Sequence, residues 1–136
     1  MSRRFLETCK EGKEVEQLLL PFLETKHGKL QEQEPTSVLD FKGLDLYVEI
    51  KSRSPEYTST DKYSEGGWFF GYNKVQKILE IAEPVYIYYY FRGDKTLWTF
   101  TEDKEKLRTL KPFKNFQQKL TVKIPKSWFS LVPVTA

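Results

Sequence analysis

The feature that most constrains this chain is a change of period. In "GKEVEQLLLPFLETKHG", Val15, Leu18, Leu19, Phe22 and Leu23 recur at i, i+3, i+4, i+7 and i+8, the spacing of a helix with one buried stripe. Gly28 is its expected stop, with Lys26 and His27 favourably placed at the negative end of the helix dipole. Pro21 falls on the polar side and predicts a kink. From Gln33 to Ser52 the period becomes two: Leu46, Val48 and Ile50 face one way, Tyr47, Glu49 and Lys51 the other. That alternation predicts a hairpin turning around Lys42-Gly43.

The segment "RSPEYTSTDKYSEGGWFFG" has the Pro, Ser, Thr and Gly content of a long loop. "YNKVQKILEIA" predicts a second helix with Val75, Ile78 and Leu79 inward, closed by Pro84. "PVYIYYYF" and "KTLWTFT" follow as strands around an Arg92-Gly93-Asp94 turn, "KLTVKIP" reads as an edge strand, and "SWFSLV" as a late packing segment. The tyrosines at 86, 88, 89 and 90 are read as strand packing. The expected fold class is α/β, a mixed sheet flanked by helices, in the order αββαββ plus C-terminal additions. At 136 residues the chain is expected to form a single domain, 1–136.

Cys9 is the only cysteine and His27 the only histidine, which argues against a disulfide framework, a zinc cluster and serine–histidine chemistry. His27, at a helix end, reads as a surface residue before it reads as a ligand. With no signal-peptide pattern and no membrane-length apolar run, the expected location is cytoplasmic, or nuclear in a eukaryotic host. Net charge is +3, but from Thr101 onward eight basic residues stand against three acidic ones. That local excess can meet phosphates or form a solvated face.

An acidic residue followed two positions later by Lys occurs five times, so the pattern alone carries little. Glu49-Ile50-Lys51 differs in context, because both polar residues share one face of a strand whose other face is apolar. Register decides whether Asp40 joins them. With a two-residue turn Asp40 faces Asp45, on the order of 13 Å from Glu49 at strand rise. With a loop over residues 42–45, Phe41 faces Leu46 and Asp40 faces Tyr47, leaving Glu49 a diagonal neighbour at roughly 7–8 Å. The wider loop is preferred because it puts Asp45, a good turn residue, in the turn. Two such carboxylates suit Mg²⁺, with Mn²⁺ as substitute, since magnesium is commonly held by one or two carboxylates plus substrate phosphate. The matching chemistry is metal-assisted phosphodiester hydrolysis, with Lys51 orienting or deprotonating the attacking water. Arg53, just beyond, is a candidate phosphate contact.

The hairpin, followed by a helix and a strand, resembles the PD-(D/E)XK nuclease superfamily, whose metal site joins an Asp on one strand to a Glu-X-Lys on the next. The resemblance spans about Gly12 to Phe100 and is nearest in layout to small Holliday-junction-resolvase-like nucleases and compact nucleases of phages and large DNA viruses. It implies a restriction-endonuclease-like core and a first-helix Glu completing the site, here Glu16 or Glu14. It also implies a polar residue on the next helix, Lys74 or Gln76, with Lys74 preferred for a phosphate of the cleaved strand. The Pro that names the motif is replaced by Leu39, and the interval from Asp40 to Glu49 is short, so Asp45 is the reserve ligand.

The function so implied is a metal-dependent nuclease acting first on DNA, in repair, recombination or branched-DNA processing, with a homodimer as one form. The alternative is a catalytically inactive nucleic-acid-binding module of the same fold. Gly66-Gly67 lacks the Lys-Ser/Thr of a phosphate loop and reads as hinge-like freedom. Tyr57, Tyr63, Trp68 and Phe69 either stack on bases or close the core.

Overall fold

A computed structural model of the chain describes residues 3–34, 37, 39–53, 58–59 and 66–133, with side chains from residue 13 onward. The opening helix, α1 (Arg3–His27), is longer than its apolar stripe. Val15, Leu19 and Leu23 are buried, Phe22 is half-buried, and Leu18 is 64% exposed, so the seam is narrower than the spacing predicts. Pro21 lies within the helix on its exposed side. Gly28 ends it at φ 79°, its N–H donating to the Glu24 carbonyl at 2.9 Å, a left-handed stop that glycine adopts without steric cost.

The strands are β1 (Gln31–Glu32), β2 (Phe41–Lys42), β3 (Tyr47–Arg53), β4 (Trp68–Gly71), β5 (Val85–Phe91), β6 (Thr96–Phe100), β7 (Phe113–Lys114), β8 (Leu120–Ile124) and β9 (Phe129–Val132). The second helix, α2 (Tyr72–Glu80), follows β4 directly. One sheet has the order β1-β2-β3-β5-β6-β9 and a smaller one β4-β8-β7. Strands β3 and β5 are parallel and their neighbours antiparallel, so the large sheet is mixed, as the α/β reading requires. The chain between β3 and β5 carries β4 and α2, the long crossover that a parallel pair needs.

Each face of β3 looks into its own core. Val48 and Ile50 pack with Val15, Leu19 and Leu23 of α1, together with Tyr88 and Leu97. On the other face Ile87 and Tyr89 of β5 meet Val75 and Ile78 of α2, with Trp68, Phe70, Val122 and Ile124 of the small sheet. Helix α1 therefore covers one side, and α2 with the small sheet covers the other. Lys104 ties the end of α2 to β5 by donating to the carbonyls of Ile81 at 2.6 Å and Glu83 at 3.0 Å.

Four expectations need correction. The hairpin loop has the four-residue length of the wider loop but is shifted one position along the chain, to residues 43–46: Phe41 pairs with Val48 and Lys42 with Tyr47, and the loop is closed by the Gly43 N–H donating to the Leu46 carbonyl at 2.8 Å. The cause is Leu46, which folds back toward the α1 core; a Cβ at Gly43 would stand 3.0 Å from it. The "WFFG" part of the expected long loop is strand β4, and "KLTVKIP" supplies β8, the centre of the small sheet instead of an edge. Lastly, Gly67 is no hinge: at φ 146° it is buried, and a Cβ there would meet the Ile124 carbonyl oxygen at 2.3 Å. Tyr57 and Tyr63 lie outside the described residues.

Among the described residues no helix is long and apolar enough to cross a membrane.

Candidate functional site

The candidate site forms where the hairpin meets the crossover. Continuing the β2–β3 register by one pair sets Asp40 beside Glu49, nearer than the diagonal placement expected from sequence. The Asp40 carboxylate is fixed there because its Oδ2 accepts the Ile50 backbone N–H at 2.8 Å. Glu49 is 1% exposed, the only acidic side chain among the buried described residues. Its Oε2 accepts from Lys74 Nζ, which α2 brings over the sheet. Its other oxygen, Oε1, is buried without a hydrogen-bond partner among the described residues.

The energetics of that arrangement are unfavourable for two anions. Burial raises the Glu49 pKa well above its usual value, and the adjoining Asp40 carboxylate raises it further; Lys74 acts in the opposite direction but does not offset them. A buried carboxylate oxygen left unpaired costs free energy unless a proton or a cation satisfies it. Glu16 reaches the same cluster from α1. Burial, then the negative charge of Asp40, pushes its pKa up to about 7, with Glu32 adding and Lys13 subtracting. Asp40 thus interacts with a carboxylate from α1 and another from β3.

Lys51 follows Glu49 on the same strand face and is exposed as a residue. Desolvation lowers its amine pKa, as do the charges of Arg53 and Lys74, while Glu49 and Asp40 work against them. Arg53 donates to the Phe69 carbonyl at 3.2 Å and stands 5.9 Å from the Tyr89 ring centroid. The buried Tyr89 hydroxyl donates to that same carbonyl, so β3, β4 and β5 are tied together beside the site.

Of the residues singled out from sequence, the structure brings together Glu16, Asp40, Glu49, Lys51 and Lys74, with Arg53 next to Lys51. It does not bring Glu14 in: that side chain is exposed, in a hollow with Tyr90, Arg92 and Lys95. Gln76 lines a separate hollow with Leu107 and Arg108, and Asp45 is exposed in the hairpin loop. His27 is engaged elsewhere, its Nε2 2.6 Å from the Tyr88 hydroxyl and its ring 4.4 Å from that of Tyr86. Trp68 closes the core at 2% exposure, whereas Phe69 is 42% exposed.

Among the described residues no three His, Cys, Asp or Glu side chains form a set that could hold a metal ion. Asp40 and Glu49 could together offer two carboxylate donors, Glu49 Oε1 being without a hydrogen-bond partner among the described residues, and a two-carboxylate set is within what magnesium accepts. Sequence reasoning missed the β7–β8 hairpin, which faces Lys51 and Arg53 across a groove. Its signal was present in "FKNFQQKL", where Asn between two short apolar-basic runs marks a turn. No family model, no curated protein and no solved structure matches this chain.

Proposed function

We propose that the chain is a metal-dependent nuclease of the PD-(D/E)XK kind, hydrolysing phosphodiester bonds, of DNA first, in repair, recombination or branched-DNA processing. The observation that carries this reading is the pairing of Asp40 with a buried Glu49 whose Oε1 lacks a hydrogen-bond partner among the described residues, beside the depressed-pKa amine of Lys51. The parallel β3–β5 pair joined through α2 supports the restriction-endonuclease-like version of the fold.

Asp40 and Glu49 would hold the ion, and magnesium, when bound, supplies charge neutralisation at the phosphoryl oxygens and an acidified water. The chain's own residues do the rest. Lys51 takes a proton from the attacking water at Nζ, a role that a pKa lowered from the ordinary lysine value favours. Arg53, which among the described residues donates to the Phe69 carbonyl through one of its five N–H groups, holds a phosphate. Lys74 acts through Glu49 as a positioning residue that favours the ionised carboxylate. Glu16 orients Asp40 or shares a proton with it.

The test is cleavage of supercoiled, linear and four-way-junction DNA with Mg²⁺ or Mn²⁺ by wild type, Lys51→Ala and Glu49→Ala. Loss of cleavage in both variants is expected; unchanged cleavage in both rejects these roles. A second reading, a binding module without turnover, draws on the Lys74–Glu49 pair, which already neutralises one carboxylate. Calorimetric titration with Mn²⁺ separates the two, since the module takes up none at this pair.

A further inference from the structure

Next to Lys51 lies a groove of about 690 Å³, and its chemistry is one-sided. Lys51 and Arg53 form one wall; Lys114, Lys119, Phe113 and Phe116 of the β7–β8 hairpin form the other. No carboxylate is among the described residues that line it. Cations on both walls, with no opposing carboxylate, match a polyanion, and Lys51, the amine that takes the water's proton in the proposed reaction, lines the same groove.

Phe116 narrows the choice of polyanion. It is 90% exposed at the hairpin tip, where an aromatic ring gains nothing from the core. The tip is nevertheless rigidly built. The Asn115 side-chain oxygen accepts the backbone N–H of Gln117 at 2.8 Å and of Lys119 at 3.1 Å, and the Asn115 N–H donates to the Lys119 carbonyl at 3.0 Å. Gln118 is held at φ 62°, a left-handed conformation that a non-glycine residue seldom adopts. Behind the tip, Phe69 and Phe113, each close to 40% exposed, meet edge to face at 5.9 Å, and Lys123 lies 5.8 Å from the Phe69 ring centroid. An exposed ring carried on an ordered turn, beside several cations, is the pairing that binds unpaired nucleotides, whose bases stack on the ring while phosphates follow the charges. In a duplex both faces of an interior base are covered by its neighbours, which leaves Phe116 nothing to stack on.

We propose that this groove is the track for a single-stranded DNA segment, with Phe116 as the stacking platform and Lys114 and Lys119 on successive phosphates. The inference rests on the nuclease reading for its connection to cleavage, but the binding it claims can be measured without cleavage. An acidic polypeptide meets the charge requirement and not the aromatic one.

The experiment is fluorescence anisotropy of the full chain with labelled oligothymidylate and with a duplex of equal length, in EDTA so that nothing is cut. Tighter binding of the single strand is expected. Phe116→Ala should weaken it by about fivefold or more while leaving duplex binding unchanged. Replacing Lys114 and Lys119 together with Gln should reduce the slope of log affinity against log salt by about 1.4, two contacts at about 0.7 each. All three side chains are exposed, so circular dichroism melts should be unaltered. Equal affinity for duplex, an inert Phe116→Ala, or full displacement by polyglutamate at matched charge overturns the proposal. The two readings fail separately. Phe116-dependent binding without metal-dependent cleavage keeps the track and removes the nuclease; Phe116-independent cleavage does the reverse.

Discussion

Glu49 and Lys74, 25 residues apart in the chain, form an ion pair in which the Glu49 side chain is 1% exposed and the Lys74 side chain 30%. The asymmetry matters. Lys74 retains part of its hydration, whereas Glu49 has surrendered its own and relies on Lys74 for one oxygen only.

Removing Lys74 should therefore be costly in a pH-dependent way. Lys74→Met leaves a buried carboxylate without its cation, a loss of about 1–3 kcal/mol where Glu49 is ionised. Protonated Glu49 needs no counter-charge, so the loss should shrink in acid. Urea unfolding at pH 8.5 and 5.5 checks this, and an equal loss at both would show that Lys74 acts only by packing.

The metal-free protein should lose stability as pH rises from about 4.5 through 7. Glu16, pushed up to about 7, and Glu49, also raised, bind more protons folded than unfolded across that window. More protons on the folded state means that stability falls with rising pH. Because Glu16 is only half-buried, its share should be about 1–2 kcal/mol. Glu16→Gln should flatten the profile, and saturating Mn²⁺ should restore stability most at the alkaline end. His27, whose pKa burial lowers, works in the opposite sense, so the decisive quantity is the difference between wild type and Glu16→Gln: a difference that does not change with pH would contradict the crowding of these carboxylates.

Much of this site was legible in the alternation of residues 46–51, because a strand's period of two assigns faces without any tertiary information. Register was less legible. Moving a loop boundary by one residue on each side preserves the face of Asp40 but changes its partner, here from Tyr47 to Glu49. The choice was made by Leu46 folding under Gly43, a packing event that no local pattern announces. Strand β4 was hidden because its partner β8 lies about fifty residues downstream, and "WFFG" follows two glycines that read as loop. The selection of Glu16 over Glu14 needed the helix docked, since both border the apolar stripe.

Lys51→Ala should lower the single-turnover cleavage rate by about 10²–10⁴-fold, the range for losing a positioned acid–base group. Lys51→Arg should not restore it, because a guanidinium stays protonated and cannot accept the water's proton. The rate of wild type should rise with pH as the Lys51 amine deprotonates, with a midpoint below that of an ordinary lysine. Full rescue by Arg would make charge, and not proton transfer, its contribution.

Gly67→Ala should be among the most damaging single-methyl additions to this fold. At φ 146° the residue is in a region that L side chains rarely adopt, and the added Cβ would meet backbone, the Ile124 carbonyl oxygen at 2.3 Å and its carbon at 2.9 Å. Backbone cannot rotate away as a side chain can, so β4 must separate from β8 where Trp68 pairs with Ile124. The expected cost is about 2–4 kcal/mol, combining backbone strain with overpacking. Gly43→Ala, whose contacts are the ends of the Leu46 and Leu30 side chains at 3.0 Å and 3.3 Å, should cost less. Because β4 carries Phe69 and the carbonyl that receives Arg53 and Tyr89, the Gly67 variant should also weaken oligothymidylate binding, and the Gly43 variant should not. Thermal melts paired with anisotropy measure both effects, and a Gly67→Ala protein as stable as Gly43→Ala would show that the small sheet does not pack at this distance.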